Sequence, residues 1–294
     1  MRIHPRSMAS GVRLAWLMVK ETVSKFVADN GLFLASGLAF NLLLYSVPLA
    51  LLMISLLGYT VLDSERAVHE VQSVVQRILP RSQQALAENL GAIVANRGLL
   101  GAAGSLSFFV FSSTLFGSVR IVLNLVFQAG QPRGFLEGIG RDILMMLLTA
   151  ALLALTIGAV AALTFVHAFG NELPLLSLLR QPSLAVASKL LGVVLTGTLL
   201  YVLYRFSPAS SLSHRALLVA SVTGTMLYQL AMWGFAWYVV FAQDAIALYG
   251  ALGGLLFFLL WLYYAAAVFI VGAEVGWAYH VLAERAARKA PTTS

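Results

Sequence analysis

Apolar residues in this chain fall in long stretches broken by short polar punctuation. Six such stretches lie near residues 32–62, 99–127, 143–168, 184–206, 216–241 and 249–280. Each is long enough to carry an α-helix across the roughly 30 Å of bilayer hydrocarbon, which takes about 20 residues. Only a short turn around Gln243 and Asp244 divides the last two. The first and last stretches are over-long, so tilt, kinking or extension beyond the lipid is expected. The pattern predicts an all-α polytopic membrane protein with six transmembrane helices.

Two other segments have the amphipathic spacing of helices that do not cross. Val12, Trp16, Val19, Val23 and Phe26 form a stripe ahead of the first span, with Arg13, Lys20 and Lys25 off that stripe. Such a helix suits the cytoplasmic leaflet, where basic residues meet anionic headgroups, and equally suits packing beside the bundle. Between the first two spans, Val68, Val71, Val75 and Ile78 precede Pro80, and Leu86, Leu90, Ile93 and Val94 follow it. These predict two short helices in an external loop, broken at the proline. The organisation read from the pattern is a cytoplasmic amphipathic segment 1–31, a transmembrane domain 32–282 with its external helical loop 63–98, and a basic cytoplasmic tail 283–294.

Composition supports this reading. Of 294 residues, 60% are hydrophobic and 11% charged, against roughly 25% charged in an average soluble protein. The net charge of +7 is no signal for nucleic acid here, because basic residues at the inner ends of spans are what membrane topology demands. With Arg120 and Lys189 left out as lying within spans, and Arg205 counted at the end of its span, Lys and Arg number twelve on the side holding both termini and five on the other. That asymmetry predicts that both ends lie in the cytoplasm. Cysteine is absent, which removes disulfides, thiolate nucleophiles and cysteine metal sites. The first apolar run is also too long for the hydrophobic region of a cleaved signal peptide.

Polar groups inside spans are costly unless protein or water satisfies them, so they mark inward faces. Gly37, Asn41, Tyr45 and Pro48 share one face of the first span, with Asn41 about 14 Å along it and Pro48 able to kink the helix. Ser113, Gly117, Arg120 and Asn124 share a face of the second, with Arg120 about 32 Å along. Gln229 lies mid-depth in the fifth span. Glu274 sits late in the sixth, at a depth comparable with Arg120, which suggests either an Arg120–Glu274 pair or two charges that reach water separately. Gly250 with Gly254, and Gly272 with Gly276, are small-xxx-small pairs that allow close helix approach.

Missing motifs narrow the chemistry. The chain has no HExxH, no nucleophile elbow, no phosphate-binding loop and no carboxylate cluster suited to two metals. The expectation is a protein that is not an enzyme and has no metal, cofactor or ATPase of its own.

Several stretches resemble the YihY/BrkB family of bacterial inner-membrane proteins. They are SGLAFNLLLYSVPLALLMISLLGY in span one, SSTLFGSVRIVLN in span two, LLYVLYRFSP ending span four, and YGALGGLLFFLLWLYYAAAVFIVGAEV in the last. The resemblance runs from about residue 25 to 282. It implies six spans and a plasma-membrane location, and transport is the usual suggestion for such proteins. Phe40-Asn41 stands where the family usually shows a tyrosine pair, while Pro48, Asn124, Tyr249, Gly250 and Glu274 are in place. The family once carried a ribonuclease label, but the short cytoplasmic loops here offer no scaffold for a phosphate groove and an acid–base set. The leading expectation is a transporter or exporter of a hydrophobic or amphiphilic substrate, a lipid among the candidates. Asn41 and Gln229 would meet its polar part, and Arg120 would attract an anionic headgroup. The expected partners are therefore membrane lipids and no nucleic acid, with assembly into a homo-oligomer or with an envelope protein left open. The alternative is a scaffold or assembly factor whose polar residues only hold helices together.

Overall fold

The computed structural model describes residues 5–60, 97–130, 138, 140–152, 155 and 181–289. The helices are α1 (Pro5–Ala28), α2 (Gly31–Thr60), α3 (Arg97–Val126), α4 (Gln181–Phe206), α5 (His214–Phe241) and α6 (Gln243–Lys289). Residues 140–152 form a further helical stretch between α3 and α4. The described residues contain no strand.

Four of these helices are long and apolar enough to cross a membrane, over Gly31–Leu52, Gly101–Val126, His214–Phe241 and Leu252–Arg288, and Leu190–Phe206 is a shorter apolar helix. The four correspond to the first, second, fifth and sixth expected spans, and the shorter helix falls within the fourth. Most of the third, beyond residue 152, lies outside the described residues, as do the two amphipathic helices expected in the external loop. Large apolar side chains are exposed along the helices, Phe33, Leu106, Ile121, Trp233 and Leu252 among them. Such surface is untenable in water over this extent and normal against acyl chains.

Two compact units divide the chain: Met1–Ala39 with Phe116–Ser294, and Phe40–Leu115. In the larger unit α1 packs on α6, α4 on α5, and α5 on α6. The core is formed by Leu123, Val126, Met145, Tyr204, Leu217 and Ile270, all buried. In the smaller unit the Tyr45 and Phe108 rings lie 5.4 Å apart, and a Cβ on Gly104 would stand 3.3 Å from Leu51 and Leu52.

Local chemistry sets the helix ends. Asn30, at φ 54°, turns the chain between α1 and α2, and the next residue must be small because a Cβ on Gly31 would overlap the Phe26 ring. At the end of α3, Gln128 takes the left-handed conformation, at φ 50°. The Gln128 N–H donates to the Leu125 carbonyl and the Ala129 N–H to that of Asn124, the bond pair of a Schellman cap. Ser213 caps α5 by accepting from the Ala216 N–H. Within the spans, Ser46, Thr196 and Thr198 donate to carbonyls three or four residues earlier, which satisfies a hydroxyl in lipid without a second helix.

The α1 face that meets α6 is the polar one. Thr22 and Lys25 are buried, while Trp16, Val19, Val23 and Val27 are exposed. The helix thus packs on α6 and turns an apolar stripe outward. Part of the expected basic tail belongs to the last helix. Helix α6 continues to Lys289, and Arg285 donates to Glu21 on α1 at 2.8 Å.

Candidate functional site

Two polar clusters stand out in the larger unit. The first gathers where α3 ends and the 140–152 stretch begins, beside the 207–213 loop. Arg120 donates to Asp142 at 3.0 Å. Gly138 makes room for this guanidinium, since a Cβ there would overlap it. Arg120 keeps a partly exposed side chain, while its Nε is buried without a hydrogen-bond partner. Burial raises the Asp142 carboxyl above the ordinary aspartate range, and the neighbouring Arg120 only partly offsets this. One turn on from Arg120, the Asn124 side-chain oxygen accepts from the Ala209 N–H at 2.6 Å. Arg141 donates to the Phe206 and Pro208 carbonyls at 2.9 and 3.3 Å, and Arg205 to the Ser211 hydroxyl. The loop is therefore held on several sides by arginine and asparagine side chains, with Arg215 following it at the start of α5.

The second cluster lies between α1 and α6. Glu274 is fully buried, and neither of its carboxylate oxygens has a hydrogen-bond partner. The Lys25 ammonium is 3.9 Å from it, is paired with Asp29, and rests 4.7 Å from the centre of the Trp277 ring. The suggested Arg120–Glu274 pair is thus replaced by two separate arrangements, Arg120 with Asp142 and Glu274 beside Lys25. Depth along a helix told which charges lie near one end of their spans; only packing told which neighbours they meet.

The other candidates scatter. Pro48 is buried in the smaller unit, and Tyr45 is half-buried against Phe108. Asn41 and Gln229 are half-buried on α2 and α5. At Gly37 and Gly254 a Cβ would meet nothing within 4 Å, so neither is at a close approach, and at Gly117 it would meet only Asp142, at 3.8 Å. The side-chain surroundings of Gly250 and Tyr249 lie outside the described residues. Gly272 and Gly276 do mark a close approach: added Cβ atoms would lie 2.9 Å from the Gly224 Cα and 2.7 Å from the Ala220 Cβ.

Sequence reasoning passed over Tyr204, Lys25 and Asp142. Tyr204 is completely buried, donates to the Phe269 carbonyl at 2.7 Å and lies 5.1 Å from the Phe269 ring. It joins α4 to α6 beneath Gly272, whose added Cβ would meet its hydroxyl at 2.6 Å. A tyrosine in an apolar run gives no signal of this kind. In the sequence Lys25 reads as a basic residue off the apolar stripe of an amphipathic helix, and Asp142 carries no signal of its own.

The chain matches the family model described as virulence factor BrkB over residues 22–293. It is similar to curated bacterial proteins named UPF0761 membrane protein. The relative from Alkalilimnicola ehrlichii is 28% identical over 97% of this chain and 65% of its own length. That from Chlorobium luteolum is 26% identical over 85% of the chain and 57% of its own length, so this chain spans little more than half of that relative. The relative from Aliivibrio salmonicida is 23% identical over 90% and 83%. No solved structure matches. With apolar helices of crossing length, outward-facing hydrophobic surface and a match over nearly its whole length, this chain belongs to the BrkB family of membrane proteins.

Proposed function

We propose that this protein sits in the bacterial inner membrane, both termini in the cytoplasm, and accommodates or moves an amphiphile with an anionic headgroup. It uses no ATPase, cofactor or catalytic step of its own. The observation that carries this reading is Arg120: a guanidinium left partly exposed, with a buried Nε lacking a partner. It stands in a region that also holds Arg141, Arg205 and Arg215. Around this region the bundle is clothed in apolar side chains. A headgroup phosphate meets cations at such a border while its acyl chains stay in hydrocarbon. The exposed stripe of α1 (Trp16, Val19, Val23 and Val27) suits burial in the same leaflet.

The test is reconstitution in vesicles of zwitterionic lipid doped with fluorescent phosphatidylglycerol. The expected outcome is protein-dependent exchange of the anionic probe between leaflets, reduced about tenfold in Arg120→Gln, equivalent to roughly 1.4 kcal/mol. A wild-type protein that neither enriches nor exchanges anionic lipid refutes the reading. The tight α5–α6 contact at Gly224 and Gly272 favours one rival, a scaffold that joins helices and moves nothing.

A further inference from the structure

The Lys25–Asp29–Glu274 cluster is not absorbed by headgroup recognition. Two carboxylates share one ammonium, which leaves the group one positive charge short when both acids are ionised. Side-chain exposures are 6% for Lys25, 18% for Asp29 and 0% for Glu274. An ionised carboxylate so buried, with no donor on either oxygen, would bear a heavy desolvation penalty. Lys25 links the two acids, bonded to Asp29 and 3.9 Å from a Glu274 oxygen. Thr22, one turn before Lys25 and also buried, has an unpartnered hydroxyl.

From this geometry we infer that Glu274 and Asp29 form a proton-binding site between α1 and α6, with Lys25 as its resident counter-cation. One bound proton makes the cluster neutral. It resides on Glu274, donates toward Asp29, and leaves Lys25 paired with Asp29. Release passes the proton to solvent through Asp29, the most exposed member, and leaves an anionic Glu274 that draws the Lys25 ammonium off Asp29 and away from Trp277. The charges facing the site are those of α1 and α6. From α1 come Lys25 and Asp29, with Glu21 engaged by Arg285; from α6 comes Glu274, while His280 and Glu284 pair one to three turns further on. Helix α5 is uncharged after Arg215, and α2 is uncharged throughout. The site does not depend on lipid movement; where movement occurs, it supplies a coupling ion.

Infrared difference spectroscopy of the full chain in nanodiscs tests this directly. At neutral pH, in sodium-free buffer, wild-type protein is expected to show a protonated-carboxyl stretch that disappears on alkalinisation. Glu274→Gln should lack it, Asp29→Asn should shift it, and Glu284→Gln should leave it unchanged. Tryptophan emission should step over the same pH range and lose that step in Trp277→Phe. Absence of the band from wild-type protein overturns the proposal, whether or not any variant folds. A band unchanged in Glu274→Gln also overturns it, and so does loss of the band on adding sodium at constant pH, which would make the site one for a metal cation. Lipid exchange is not part of this readout, so failure of the transport reading leaves the result interpretable.

Discussion

Arg120 and Asp142 meet across 22 positions of sequence at 3.0 Å, and the environment of each dictates how a change there should behave. Arg120→Asp leaves a buried like-charge contact and should cost on the order of 3 kcal/mol, read as lost expression and early unfolding in detergent. Combining it with Asp142→Arg should restore much of that loss, whereas combining Arg120→Glu with Glu274→Arg should not. Neutralising Asp142 alone is milder. Because burial lifts its carboxyl above the ordinary range, the folded chain binds that proton more tightly than the unfolded chain does. Stability from this group is therefore present on the acid side and lost as pH rises through its titration. Thermal unfolding of Asp142→Asn should accordingly gain on wild type as pH increases. Tyr204 is a different case, a neutral donor in the core. Tyr204→Phe keeps the ring and should cost about 1 kcal/mol, and Tyr204→Ala about 3–5 kcal/mol, in the same assay. That Arg120 and Glu274 would each need a partner was legible one by one, because hydrocarbon penalises a bare charge. Their partners were not, since Lys25 and Glu274 lie far apart in sequence and only the packing of α1 on α6 brings them together.

At the scale of the helices, Gly254 and the Gly272–Gly276 pair of α6 separate cleanly. Gly272 lies where α5 and α6 almost touch, with Gly224 and the Tyr204 hydroxyl in the space a side chain would need. Gly272→Val and Gly276→Val should each destabilise by about 1–3 kcal/mol through overpacking. Gly254→Ala, with open space around it, should be neutral or stabilise the helix by up to about 1 kcal/mol. Melting temperatures of purified variants decide this, and equal losses at positions 254 and 272 would contradict the structure. The spacing of the pairs is identical in sequence, so which one marks a contact depends on how α6 is rotated against α5. Helix α6 illustrates a second limit: its apolar part was plain, but its 47 residues span about 70 Å. The last turns are held by charged contacts with α1, such as Arg285–Glu21, rather than by hydrophobicity.

For the whole molecule, the proposed topology is open to a simple measurement because the chain has no cysteine. Ser7→Cys and Ser294→Cys should both be shielded from a membrane-impermeant maleimide in intact cells, and Ser82→Cys should react. Labelling of one terminus alone would require an odd number of crossings and refute the six-span arrangement.

Composition and the length of apolar runs determined by themselves that this chain is helical and belongs in a membrane. Those properties follow from transferring side chains and backbone into hydrocarbon, a cost each segment meets alone. Tertiary structure decided the rest: Asp142 rather than Glu274 beside Arg120, a buried carboxylate with Lys25 and Asp29 as its neighbours, and one glycine pair at a helix contact. Such choices turn on helix rotation and on the last few ångströms between side chains, which no single segment specifies.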